Sequence, residues 1–283
     1  MRDSTDSKRN SNLAVLACWL EATARKPGNV HPAASFADLT YADFVRSAHV
    51  IRPSFEHGTE WSVGRIVLDA VERTQRGLGR NTNLGILLLL GPLACVPDGV
   101  AIGAGIGDVL AGLTLEDAAL VYEAIRLAKP GGLGRVERED VASAPSMTLL
   151  EVMRLAADRD QIAAQYANNF ATVLAGAERL AAGGRFPSDW EAAVIDLHLW
   201  LMAEFPDTLI ARKCGLETAR ESSRRARAVL AAGWPKGDAA SHQMAEFDSW
   251  LRADGNRRPP NGAIFSSAGK SPKSWAGSTS VRR

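Results

Sequence analysis

Thr148 to Gly183 reads TLLEVMRLAADRDQIAAQYANNFATVLAGAERLAAG. Ser146 opens the stretch and Gly183-Gly184 closes it. Ala and Leu, which give up little on entering a helix, fill it. The expectation is one long helical segment.

The same texture extends in both directions. Upstream, Thr114 and Asp117 make a capping-box pattern before LEDAALVYEAIRLAK, and Lys129-Pro130-Gly131-Gly132 supplies a cation, a proline and glycines in the order that stops a helix. Thr40 with Asp43 repeats the cap. Phe44, Ala48, Ile51 and Phe55 then share a face, with Pro53 placed to kink or end that helix. Leu13, Leu16, Ala17 and Leu20 follow the i, i+3, i+4, i+7 spacing. Downstream, helices are expected from near Ser188, over about 207–232 and over about 239–253. Alternating β-branched runs are nearly absent, and no fixed-period repeat or composition break appears. The expected fold is therefore all-α: a single multi-helix globular domain over residues 11–254, with the Gly-rich 98–112 region and the 130–146 loop as internal connections. Residues 1–10 are polar, and 255–283 is a basic run rich in Gly, Pro and Ser. Both ends are expected to be disordered, because they have too little apolar surface to offset the entropy of ordering.

Composition narrows the function classes. The chain has 283 residues, 46% apolar and 23% charged, which suits a protein with a buried core. Its 33 Lys+Arg against 32 Asp+Glu leave a net charge of +1, so nucleic-acid binding through a bulk field is excluded. The basic tail reads as a solubilising segment. Cys18, Cys95 and Cys214 form no CxxC or paired framework and read as free thiols. The polar N-terminus lacks the apolar core of a signal peptide, and Leu84–Val96 is too short to span a bilayer. A cytoplasmic protein with no membrane partner is expected. Oligomeric state is left open.

Several standard motifs fail. Gly269-Lys270-Ser271 has Ile264 where a phosphate-binding P-loop needs Gly. Gly103, Gly105 and Gly107 give G-x-G-x-G, without the Rossmann spacing. His31, His49, His57, His198 and His242 show no zinc spacing and are each expected at the surface or half-buried.

Three polar islands remain. The first runs from Glu21 through Arg25, Lys26, Pro27, Gly28 and Asn29. It reads either as a helix stop, with cations complementing the dipole, or as a phosphate site. The second, Arg80-Asn81-Thr82-Asn83, enters the apolar run ILLLLGPLAC. One cap needs one such residue, so three in a row is an excess. An apolar helix is expected at the centre, and the polar run ahead of it reads either as a plain helix start or as an anion or sugar site at the N-terminus. The third contains Asp207, Thr208, Arg212, Lys213 and Gly215, with Asp207 as an N-cap.

In this order the islands resemble the triphosphoribosyl-dephospho-CoA synthase family. Its pattern is an early Glu followed by K-P-G, a D-containing segment leading to F-x-x-S, then G-V-N-T-H-K-G, and finally D-T-N with a basic residue and Gly. Glu21, Lys26-Pro27-Gly28, Asp38, Phe44, Ser47, Asn81-Thr82, Gly85, Asp207-Thr208, Lys213 and Gly215 carry the match, over roughly residues 13–230. Asn83-Leu84 replaces the family's His-Lys, and Leu209 replaces the Asn of D-T-N. Arg80 and Arg212 add cations beside the motifs.

The resemblance implies transfer of the triphosphoribosyl group of ATP to the ribose 2′-hydroxyl of dephospho-CoA, with adenine leaving. It assigns a triphosphate clamp to Lys26, Arg80, Arg212 and Lys213, with Mg²⁺ on the phosphates. Gly28, Asn29, Asn81, Thr82 and Asn83 would hold phosphate oxygens or sugar hydroxyls. Glu21, Asp38 and Asp207 are the candidate carboxylates, as proton acceptor or as metal ligands. Two rivals stay open: a related transferase acting on another cofactor precursor, and a helical nucleotide-binding module without catalysis.

Overall fold

Side-chain caps decide where the helices start. The computed structural model describes residues 4–259 other than 132, 133, 135, 183, 185 and 186, with side chains from Asn10 onward. Among the described residues there are thirteen α-helices and no strand: α1 (Ser4–Thr23), α2 (Tyr41–Val50), α3 (Val63–Leu78), α4 (Leu84–Ala94), α5 (Ile102–Ala111), α6 (Leu115–Ala128), α7 (Leu149–Ala156), α8 (Gln161–Ala167), α9 (Ala171–Ala182), α10 (Trp190–Glu204), α11 (Thr208–Cys214), α12 (Leu216–Ala231) and α13 (Asp238–Arg252). The all-α expectation holds. Thr40 and Thr114 form the expected capping boxes, with Asp43 and Asp117 accepting from the cap amides at 2.9 and 3.0 Å. Pro53 sits in a 3₁₀ turn, Arg52–Glu56, beyond the end of α2. Helix α1 begins at Ser4, inside the stretch whose composition reads as disordered.

The long segment after Ser146 is not one helix. Thr148, not Ser146, is its cap, closing a box with Glu151. Asp160 then takes the amides of Ile162 and Ala163 at 2.8 and 3.1 Å, which starts α8 afresh. Asn169 and Phe170 take positive φ of 54° and 61°, and the Asn168 side chain accepts from Ala171 N. Short Asp and Asn side chains offer the backbone partners outside the helical ladder, and here they win. The expected 207–232 helix is likewise split, at Gly215 (φ +89°). Gly132, Gly183 and residues 260–283 lie outside the described residues.

Helix α4 is buried at every position except Gly85, as an all-round apolar helix must be. Tyr166 of α8 donates to Leu88 O at 2.5 Å, tying α8 to it. Helices α3 and α6 touch through Gly64, whose amide donates to Asp117 Oδ1 at 2.8 Å. A Cβ at Gly64 would lie 2.8 Å from the Asp117 Cα and carbonyl oxygen, so only glycine permits this approach. A second apolar cluster gathers along α10, α12 and α13. A cavity takes residues from both clusters' helices.

Candidate active site

The cavity encloses about 750 Å³. The first turn of α4 forms one wall and the first turn of α11 another. Tyr122 of α6, the 138–141 loop, the α7–α8 junction and the α10 face bearing His198, Leu201 and Met202 complete it. Each polar island reaches it: Gly28 and Asn29 from the first, Asn81 to Gly85 from the second, Asp207 to Lys213 from the third. Segments far apart in sequence therefore share one chamber.

The polar excess ahead of α4 has a residue-by-residue account. Asn81 Oδ1 accepts from Leu84 N, the first amide of α4, at 3.1 Å, while Asn83 holds the N-cap position without a side-chain cap bond. Asn83 donates to Ser47 Oγ at 2.9 Å and Thr74 Oγ1 at 3.3 Å, which pins the entry to α2 and α3. Thr82 Oγ1 is buried without a hydrogen-bond partner. The first intrahelical bond of α4 runs from Leu87 N to Asn83 O, so Gly85 and Ile86, both on the lining, precede the ladder. Their amides and the positive helix end suit an anionic or hydroxyl-rich ligand.

The third island puts a buried carboxylate and two cations on the lining. Asp207 Oδ1 accepts from Leu209 N and Ile210 N at 2.9 and 2.8 Å, the expected N-cap. Among the described residues no partner at hydrogen-bond or ion-pair distance is found for its Oδ2, and Asp207 lines the cavity while only 6% exposed. Burial pushes its carboxyl up to about 6, against the pull of the two amides and of Arg212. Arg212 pairs with Asp160 at 2.9 Å. Lys213 lies along Gly131 on the lining, with no carboxylate at ion-pair distance among the described residues.

The first island is mostly spent on architecture. Lys26 and Glu21 form a buried pair, Nζ to Oε1 2.6 Å, each side chain 1% exposed, and neither lines the cavity. Gly28 N donates to Asp248 Oδ1 at 2.8 Å, and Gly28 takes φ +74° with a would-be Cβ 2.7 Å from Leu251. Arg80 donates to Asp38 O at 2.7 Å on the outer surface. Asp38 is 70% exposed and paired with Arg258 at 2.8 Å, which holds its carboxyl below the usual range. Asp38, like Arg80, is absent from the lining.

Arg258 and His198 are among the lining residues that escape the motif reading. Arg258 stacks its guanidinium 3.6 Å from the Phe36 ring and lines the cavity beside Pro259, so the chain is packed through Pro259 where the composition reads as a free tail from Gly255. His198 is 5% exposed, not half-buried as expected. Its surroundings lower it to about 3, through burial first and then the Lys26 charge, so it is neutral. Sequence spacing gave no sign of it, because it sits among Leu and Trp on a core helix.

Residues 7–262 match the CitG family, ATP:dephospho-CoA triphosphoribosyl transferase. The chain belongs to that family. It is accordingly a transferase of the triphosphoribosyl-dephospho-CoA synthase type, with ATP as the family's substrate. A crystal structure described as "putative triphosphoribosyl-dephospho-coA synthase from Archaeoglobus fulgidus" is similar to it, with 25% identity over 79% of this chain and 94% of that chain, at a TM-score of 0.61. No curated protein matches the sequence. Among the described residues no helix is long and apolar enough to cross a membrane.

Proposed function

We propose that the cavity holds ATP and dephospho-CoA together, with the triphosphate toward Lys213, Arg212 and the first turn of α4, and with Asp207 as the base. Asp207 carries this reading, as a buried lining carboxylate whose Oδ1 is fixed by two amides and whose Oδ2 is left open. A base poised near 6 is ionised at neutral pH and still able to release a proton.

The acceptor hydroxyl attacks C1′ of the ATP ribose and its proton passes to Asp207 Oδ2. The C1′–N9 bond breaks, adenine leaves with that electron pair, and the proton can then pass to the leaving base. Positive charge builds on the sugar meanwhile, and an ionised carboxylate in a water-poor chamber stabilises it. Holding both nucleotides in one chamber supplies much of the acceleration.

Of the other predicted carboxylates, Glu21 is paired to Lys26 and Asp38 to Arg258. That pairing supports structural roles for both. Mg²⁺ fits only as an ion brought in on the phosphates. No group of three potential metal ligands exists among the described residues, and Asp160 is engaged by two amides and Arg212. Glu139, Asp140 and Asp207 are lining carboxylates within the same chamber, and the ion would neutralise phosphate charge.

Leu84 lines the cavity where the family pattern has Lys. The cavity has thus traded a charge for apolar surface, which favours testing other ribosylated cofactor precursors beside dephospho-CoA. The deciding experiment incubates purified protein with Mg-ATP and each acceptor and measures free adenine by chromatography. Adenine release that depends on dephospho-CoA is expected. Release with another precursor alone would move the acceptor, and no release with any would overturn the reading.

A further inference from the structure

His198 is buried in the wall of the cavity, yet one of its ring nitrogens is unused. The ring lies beside the Pro27 backbone carbonyl, and among the described residues Nε2 is buried without a partner. Proline has no N–H, so Pro27 can only accept and the imidazole must donate. With Nε2 unpartnered, Nδ1 is the nitrogen assigned to that carbonyl, and a proton there leaves Nε2 as a bare lone pair. Leu201 and Met202 lie three and four residues on and line the same cavity, as do Leu84 and Leu88 one turn apart on α4. Thr82 Oγ1 is the other buried orphan on the lining. A buried acceptor without a partner is costly unless a ligand supplies the donor. A neutral lone pair cannot bond a phosphate oxygen, which is itself an acceptor. Apolar side chains beside one acceptor and one hydroxyl instead suit a flat heteroaromatic ring bearing an amino group.

We infer that His198 is a specificity-determining residue that accepts a hydrogen bond from the exocyclic amino group of adenine, within the apolar wall formed by α4 and α10. Thr82 Oγ1 serves the same ring as its second polar contact. This rests on the transferase reading above. Both substrates carry adenine, so the amino group can come from the leaving base of ATP or from the acceptor nucleotide.

The test compares kcat/KM for full-length protein with ATP against ITP, which carries a 6-oxo group. A second arm holds ATP fixed and compares dephospho-CoA with its inosine analogue. Wild type is expected to disfavour the 6-oxo form by about tenfold or more in one arm, the penalty for an unsatisfied buried acceptor. That arm identifies the adenine that His198 reads. His198→Leu should bring the ratio to within about threefold of unity, and His198→Gln, whose Oε1 replaces the Nε2 lone pair, should restore it. A ratio does not depend on the folded fraction, so reduced stability cannot mimic the result. If wild type turns over with no base preference in either arm, or if His198→Leu keeps the wild-type ratio, the inference fails while the transferase reading stands. No base release from any substrate sinks both.

Discussion

Replacing Asp207 with Asn separates the base from the cap. The amide oxygen of Asn can still accept from Leu209 N and Ile210 N, so α11 keeps its start. What disappears is the basic oxygen facing the cavity. Turnover should fall by about 10²-fold or more. Stability should move the other way. The carboxyl stands at about 6 in the folded chain against an ordinary 3.8, a gap of about 3 kcal/mol between the protonated and ionised forms. A raised acid binds more protons folded than unfolded, so its contribution is fully present below 3.8 and is lost as pH rises through about 6. Wild type and Asp207→Asn should therefore melt alike near pH 4. The variant should gain as pH rises, until it melts roughly 6–10 °C higher above pH 7. In parallel, wild-type kcat/KM should fall below about pH 6, and the residual activity of the variant should not follow that limb. Differential scanning fluorimetry across pH 4–8 and adenine release give the two readouts. Wild-type turnover in the variant, or a melting difference that stays constant with pH, would refute the assignment.

Mg-ATP at a hundredfold excess over its dissociation constant should stabilise the native chain by about 2.7 kcal/mol, and Lys213→Met should weaken ATP binding by about tenfold with a shallower salt dependence, both readable by thermal shift. Glu21→Ala should cost about 3–5 kcal/mol in urea unfolding, because it strands the buried Lys26 charge, and the double change Glu21→Leu with Lys26→Met should recover most of it. Gly64→Ala should lower stability by about 1–3 kcal/mol, by prising α3 from the Asp117 backbone, while leaving kcat of the folded fraction unchanged.

Capping boxes and apolar periodicity were enough to read an all-α chain, because both are local. Thr40 with Asp43 and Thr114 with Asp117 satisfy one another within four residues, so tertiary context cannot easily overrule them. The 148–183 run failed for the complementary reason. Its Ala and Leu content favours helix throughout, and the breaks come from Asp160 and Asn168, whose side chains capture specific amides in the folded chain. Both residues stood in the sequence as available signals. Where a run of helix formers contains Asp-Arg-Asp or Asn-Asn, the short polar side chains deserve more weight than the summed propensity.

The site was legible as three islands, and less so as individual residues. An island announces that polar groups are in excess, but only the folded chain shows which of them are spent. Glu21 consumes Lys26, Asp38 consumes Arg258, Asn81 takes the Leu84 amide, and Asn83 is tied to Ser47 and Thr74. Once those are set aside, the described lining keeps, among other groups, the hydroxyl of Thr82, the ammonium of Lys213, Oδ2 of Asp207 and Nε2 of His198. The first three lie inside motifs. The fourth is invisible in sequence, since one His within WEAAVIDLHLWLMAE looks like a tolerated core residue. Its proposed role depends on a proline carbonyl that stands beside the ring from 171 positions earlier in the chain. A ligand brings partners only for groups the fold has left without them, so in a chain of this kind the residual set, not the motif list, defines what the cavity can bind.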